Sequence, residues 1–298
     1  MKTYTYKSVG SLALQADVYG ADAPGGSLKP AIVWIHGGAL IMGDRAGILP
    51  GEIDRYLGAG FVVVSIDYRL APETKLPAIA EDIEDAFRWL RERGGGELGI
   101  DTNRLGVVGH SAGGYLTLLS GHRVVPTPLA LVSFYGYGDI AGDWYSKPDP
   151  FYNTFDRITE SDAESAVGEQ DLVDGSADPA RRDYYLWCRQ NGLWPLQVTG
   201  HDPVSESGWF SPYCPEENVE LEGRNYPPTL LIHGDADTDV PYAQSVEMAR
   251  RLAGAGIEHE LITIPGGPHG FDRAPETASS SEVSDAFDRV IGFLTKHV

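Results

Sequence analysis

Short apolar runs that alternate with amphipathic stretches constrain this chain more than any other feature. Ala31–Ile35, Phe61–Ile66, Leu105–Val108, Leu129–Phe134 and Thr229–Ile232 are apolar and end at glycine or polar residues. Glu258–Ile264 is a weaker run of the same kind. Runs this short suit strands buried on both faces. Between and after them, Glu81–Arg93, Ala112–Val124, Tyr242–Gly256 and Ser281–Val298 carry apolar residues at helical spacing. The alternation predicts an α/β fold with a mostly parallel central sheet flanked by helices. The first twenty residues alternate apolar and polar side chains, which predicts a leading pair of antiparallel strands.

One stretch breaks the rhythm. Residues 137–226 show no clean strand–helix alternation, yet they hold Trp144, Trp187, Trp194 and Trp209 and both cysteines. This predicts an insertion, or cap, over a core made of residues 1–136 and 227–298. Most of its aromatic residues are expected to form a local satellite core, and a few to line a pocket.

Composition narrows the partners. The 298 residues include 23 Lys plus Arg against 43 Asp plus Glu, a net charge of −20. Such a surface repels nucleic acid and anionic membranes. No run approaches the length of a membrane span, and the first residues lack the apolar core of a signal peptide. Two cysteines, Cys188 and Cys214, make no disulfide framework. Together these features lead to the expectation of a cytoplasmic protein with a small-molecule partner. A homo-oligomer is left open.

The chemistry is concentrated at four places. Gly109-His110-Ser111-Ala112-Gly113 lies between a predicted strand and a predicted helix. This is the context a G-x-S-x-G nucleophile elbow requires, because the sharp turn strains the serine backbone and demands small neighbours. A serine hydroxyl needs a base. His269, in Gly266-Gly267-Pro268-His269-Gly270-Phe271, falls after the last predicted strand and before the last helix. His36 and His233 end strands and are read as structural, and His110 is expected to point away from the site. A carboxylate must orient the base. Asp235, Asp237 and Asp239 follow the strand that ends near His233. Asp237 is the expected acid, Asp235 comes too early, and Asp239 is read as a charge at the next helix N-terminus. Finally, His36-Gly37-Gly38-Ala39 follows another strand end. The N–H groups of Gly38, Ala39 and Ala112 are the expected oxyanion donors, with Gly37 shaping the turn.

These motifs, with Asp67-Tyr68-Arg69-Leu70-Ala71-Pro72-Glu73, His233-Gly234-x-x-Asp237-x-x-Val240-Pro241 and His269-Gly270-Phe271, resemble the esterase/lipase branch of the α/β-hydrolases. The resemblance is to hormone-sensitive-lipase-like and carbohydrate-esterase-like members. The resemblance covers residues 30–136 and 227–298 and implies an α/β-hydrolase fold with a Ser-His-Asp triad. The chain departs from the hormone-sensitive-lipase-like pattern at Ala39, where a third glycine is usual, and at His110, where an aspartate is usual. The implied activity is carboxylic ester hydrolysis by acyl transfer, with neither metal nor organic cofactor. The rivals are a peptidase or amidase of the same superfamily and a non-catalytic ligand-binding homologue. Leu40, Tyr115 and Trp144 are expected to touch substrate. The bulky stretch Ala39-Leu40-Ile41-Met42 is expected to close the pocket around a short acyl group, acetyl to butyryl.

Overall fold

A computed structural model describes residues 1–21, 26–176, 178–222 and 225–298. Eight strands form one sheet: β1 (Lys2–Val9), β2 (Leu12–Tyr19), β3 (Lys29–Ile35), β4 (Val62–Ile66), β5 (Ile100–His110), β6 (Ala130–Phe134), β7 (Thr229–Gly234) and β8 (His259–Ile264). Their order is β1-β2-β4-β3-β5-β6-β7-β8. The pairs β1–β2 and β2–β4 are antiparallel, and every later pair is parallel. The predicted leading antiparallel pair and mostly parallel sheet are both present. β3 lies between β4 and β5, so the connection from β3 runs to β4 on one side while that from β5 runs to β6 on the other. Such a switch point opens a crevice at the carboxyl ends of the strands.

The core helices are α1 (Pro50–Gly58), α2 (Leu76–Arg93) and α3 (Ala112–Arg123), followed after the insertion by α10 (Ala243–Gly254) and α11 (Ser281–His297). The last helix shows why they form. Val283, Ala286, Phe287, Val290 and Leu294 recur at helical spacing and are buried, while the Ser280 hydroxyl accepts from the Val283 N–H as an N-cap. One apolar cluster packs α1 and α11 against the sheet through Trp34, Tyr56, Phe134 and Phe287. A second cluster, on the other face, takes in α2 and α3 and continues into the insertion through Tyr145, Trp187 and Trp194.

Between β6 and β7 the described residues form six α-helices, two single 3-10 turns and no strand. The α-helices are α4 (Asp143–Ser146), α5 (Glu160–Glu164), α6 (Pro179–Asn191), α7 (Trp194–Thr199), α8 (Ser207–Phe210) and α9 (Pro215–Glu222). Residues 177, 223 and 224 of the expected cap fall outside the described residues. Cys188 and Cys214 are buried free thiols. Among the described residues, no helix is long and apolar enough to cross a membrane.

Candidate active site

Ser111 sits on the turn from β5 to α3 with φ 56° and ψ −119°. A non-glycine residue in this region carries roughly 1–3 kcal/mol of strain, held in place by its surroundings. The flanking glycines let it persist. A Cβ on Gly109 would lie 2.1 Å from the Gly113 carbonyl oxygen, and one on Gly113 would lie 2.1 Å from the Ile35 carbonyl oxygen. The strand–turn–helix is therefore closed against β3 more tightly than any side chain allows.

Three loops converge above the strand ends. The Ser111 hydroxyl donates to His269 Nε2 at 3.0 Å, and His269 Nδ1–H donates to Asp237 Oδ2 at 2.7 Å. The Asp237 side chain is fully buried. Its Oδ1 accepts from the N–H groups of Asp239 (2.8 Å) and Val240 (2.9 Å). Its Oδ2 accepts a second bond, from His233 Nε2 at 3.1 Å. Both partners of that nitrogen, Asp237 Oδ2 and the Val240 carbonyl, are acceptors, so His233 carries its proton there. Its Nδ1 then accepts from the Ser245 hydroxyl at 2.7 Å.

The charges follow from this geometry. Burial alone would raise the Asp237 carboxyl, but the hydrogen bonds from His233 and His269 outweigh it and hold the group well below the usual carboxylate range. Burial would lower His269, but the carboxylates of Asp239 and Asp237 raise it above an ordinary histidine. His36 and His110 go the other way: burial pushes them down to about 4 and about 3. They are neutral across the physiological range. His36 donates to the Gly37 carbonyl (2.7 Å) and stacks on Tyr68, a packing position.

Gly38, Ala39 and Leu40 all have positive φ, at 107°, 57° and 63°. This run folds the loop after β3 back on itself, with the Gly38 carbonyl accepting from Ile41 and Met42. Trp194 Nε1–H holds the Ala39 carbonyl at 2.9 Å, which turns that peptide away from the cavity. No acceptor takes the Gly38 or Ala39 N–H among the described residues. Ala112 opens α3, and the first N–H groups of a helix have no acceptor within it. Gly38 and Ala39 line the same cavity as Ser111, Ala112 follows Ser111 directly, and a Cβ on Gly37 would lie 3.2 Å from the Ser111 Cβ.

A cavity of about 640 Å³ opens over Ser111 and His269. Gly37, Gly38, Ala39 and Met42 form one side. The insertion supplies Phe151, Tyr152, Phe155, Tyr185 and Leu186, with Ser176 and Arg182. The three residues expected to touch substrate lie elsewhere. Leu40 is fully buried in the core beneath its loop. Tyr115 is fully buried, stacks on Tyr137 and donates to the Tyr213 carbonyl. Trp144 stacks on Tyr145 at 3.7 Å, beneath the Arg189 guanidinium. Ile41 is buried as well, so only Ala39 and Met42 of this stretch reach the cavity.

Four residues of the site carried no signal in the sequence reading, or a different one. Asp239 is not a helix-terminal charge, since α10 begins at Ala243. Its carboxylate lines the cavity and pairs with Arg189 at 2.8 Å. Tyr135, at φ 39°, sets its ring edge against His269 and donates to Asp272 Oδ1 at 2.6 Å. Asp272 and Glu52 flank His110 Nε2 at 3.5 and 3.8 Å, and burial with the nearby Asp272 pushes Glu52 up to about 8. His110 therefore turns Nε2 into this buried group, and the residue also lines the cavity. Asp235, by contrast, accepts from the Gly266 N–H and braces the histidine loop.

Fold and site together have the form of an α/β-hydrolase, and comparison with known proteins agrees. Residues 32–273 match the family described as alpha/beta hydrolase fold, and the chain belongs to that family. Among characterised sequences it is similar to a non-reducing polyketide synthase of Penicillium brevicompactum, 28% identical over 352 residues. That alignment takes in 100% of this chain and 16% of the synthase. A non-reducing polyketide synthase of Preussia isomera is 29% identical over 303 residues, 91% of this chain and 14% of the synthase. The chain thus spans only a small part of these relatives. Among solved structures, a protein of unknown function from Staphylococcus aureus has a TM-score of 0.79 at 22% identity, covering 100% of this chain and 99% of the other. A Thermogutta terrifontis esterase with bound propionate has a TM-score of 0.68 at 21% identity, covering 99% and 93%. These likenesses are of fold.

Proposed function

We propose that this chain hydrolyses carboxylic esters by acyl transfer through Ser111. The observation that carries the reading is the continuous chain from the Ser111 hydroxyl through His269 to the buried Asp237. Proton transfer to Nε2 makes the hydroxyl a nucleophile. Asp237 holds the tautomer that keeps Nε2 free to accept and stabilises the imidazolium that forms. The N–H groups of Gly38, Ala39 and Ala112 meet the oxyanion, where removing one donor typically costs about 10²–10³-fold. His269 then protonates the departing alcohol. In the second step it deprotonates a water that attacks the acyl carbon, and the serine oxygen leaves with that proton.

The esterases among the solved neighbours support this chemistry. The substrate is read as a small or short-acyl ester. With Leu40 and Ile41 buried, any preference for short chains rests on Met42 and the aromatic wall of Phe151, Tyr152, Phe155 and Tyr185. A panel of nitrophenyl esters from acetate to laurate, with the anilide of one acyl group alongside, tests both parts. Esters cleaved and the anilide spared is the expected outcome, with acetate to butyrate highest in kcat/KM. Equal turnover of the anilide would contradict the ester reading. A maximum at laurate would contradict the size preference.

A further inference from the structure

Asp239 sits where the triad has no use for it. Its Oδ1 accepts from the Tyr185 hydroxyl (2.5 Å) and from Arg189 Nη1 (2.8 Å). Arg189 is itself immobile: it is buried, pairs with Asp149, donates to the Tyr185 oxygen and to the Asp239 carbonyl, and lies over the Tyr145 and Tyr152 rings. The carboxylate is therefore held in one orientation, with Tyr152 beside it. That orientation turns Oδ2 toward the reacting nitrogen of His269, 3.6 Å from Nε2. The separation is too long for a hydrogen bond, and Nε2 is already committed to Ser111. A fixed acceptor thus stands in the cavity wall beside the base.

We propose that Asp239 is a further catalytic residue, whose Oδ2 accepts the second O–H of the water that releases the acyl group from Ser111. The inference rests on the ester-hydrolase reading and assigns the residue to its second step. One water can bond Nε2 and Oδ2 together, because 3.6 Å is less than twice a hydrogen-bond length of about 2.8 Å. One O–H points at Nε2 and loses its proton there. The other points at Oδ2 and keeps it. With both hydrogens directed, a lone pair of the oxygen faces the acyl carbon. The new C–O bond forms, the bond to Ser111 Oγ breaks, and the proton on His269 passes to Oγ. The products are the free acid and the serine hydroxyl, and Asp239 stays ionised throughout.

An alcohol separates this role from a purely structural one. Methanol has a single O–H, which Nε2 consumes, so methanolysis of the acyl-enzyme gains nothing from Oδ2. The experiment follows p-nitrophenyl butyrate with added methanol near pH 9, reading nitrophenolate release, butyrate and methyl butyrate. In Asp239→Asn the amide carbonyl can keep the Tyr185 and Arg189 bonds, and an N–H donor replaces Oδ2. Hydrolysis of the acyl-enzyme should fall about tenfold, the loss of one charge-assisted hydrogen bond. The ratio of methyl butyrate to butyrate should rise about fivefold or more, with the acylation rate within about threefold of wild type. If the Asn protein does not fold, Asp239→Glu keeps a partner for Arg189 while displacing the acceptor, and should shift the ratio in the same direction. A ratio unchanged from wild type in a folded variant overturns the proposal and leaves Asp239 as an anchor. Wild-type protein that releases no nitrophenolate overturns the ester-hydrolase reading itself, and this inference with it.

Discussion

Replacing Gly234 by alanine should disable the site without touching any reacting group. Gly234 ends β7 and faces Gly267 in the loop after β8. Its φ is not positive, so alanine meets no backbone penalty there. The obstacle is space. A Cβ at this position would lie 2.0 Å from the Gly267 carbonyl oxygen and 2.5 Å from its carbon. Ordinary contact needs roughly 3.4 Å or more, so the two backbones must part by about 1.4 Å. These segments carry the proposed acid and base: Asp237 lies three residues beyond Gly234, and His269 two beyond Gly267. They are tied together by the Ala236 N–H on the Gly267 carbonyl, 3.1 Å. Separation therefore stretches the 2.7 Å bond between Asp237 and His269. A misplacement near 1 Å costs about 10²-fold in turnover, and overpacking a tight contact costs about 1–3 kcal/mol of stability. The assay is kcat on a nitrophenyl ester, with circular dichroism and a urea midpoint to show that the variant is folded. Gly292→Ala in α11, where a Cβ meets nothing within 4 Å, is the matched control and should keep full activity. A folded Gly234→Ala protein with kcat within about threefold of wild type would refute the reasoning.

The acid limb of the pH profile should lie high. His269 must be neutral to accept the serine proton, and burial, which lowers it, is outweighed by Asp239 and Asp237. Activity is therefore lost as pH falls through a value above the usual histidine value of about 6.5, and a kcat/KM limb centred below pH 6 would contradict this. Asp237→Asn keeps the shape but favours the wrong imidazole tautomer, and should lower kcat by about 10²–10⁴-fold. Asp235→Asn, which touches only the Gly266 N–H, should lose less than about tenfold; the reverse ranking would misplace the acid. Arg189→Met leaves two largely buried carboxylates, Asp149 and Asp239, without their cation, and should cost about 3–5 kcal/mol by urea denaturation. A loss under about 1 kcal/mol would show that the pair is not stabilising the folded state.

The residues legible in the sequence are those whose role depends on their place along the chain. Ser111 is marked by glycines that the strand–turn–helix demands, Asp237 and His269 by following successive strand ends, and Gly38 and Ala39 by following another. The cavity wall had no such mark. Of the six α-helices between β6 and β7 all but α6 are short, and several have no amphipathic period to read. Which of their aromatic residues face Ser111 is decided by packing across the whole insertion. Tyr115 and Leu40 show the limit of proximity: each is close in sequence to the site, and each turns its side chain into the core. Asp239 shows another. Its spacing from Pro241 suits a helix N-terminus, but the side chain is claimed by an arginine 50 residues earlier, a long-range pair that no local pattern encodes.

The central claim is that Ser111 is the nucleophile, and mass spectrometry after reaction with a fluorophosphonate tests it most directly. The wild-type protein should gain one phosphonyl group, located on Ser111 by peptide mapping, and lose its esterase activity in step with labelling. Ser111→Ala should take up no label and fall about 10⁴-fold or more in turnover. A label on another residue, or near-wild-type hydrolysis by a folded Ser111→Ala protein, would contradict the account.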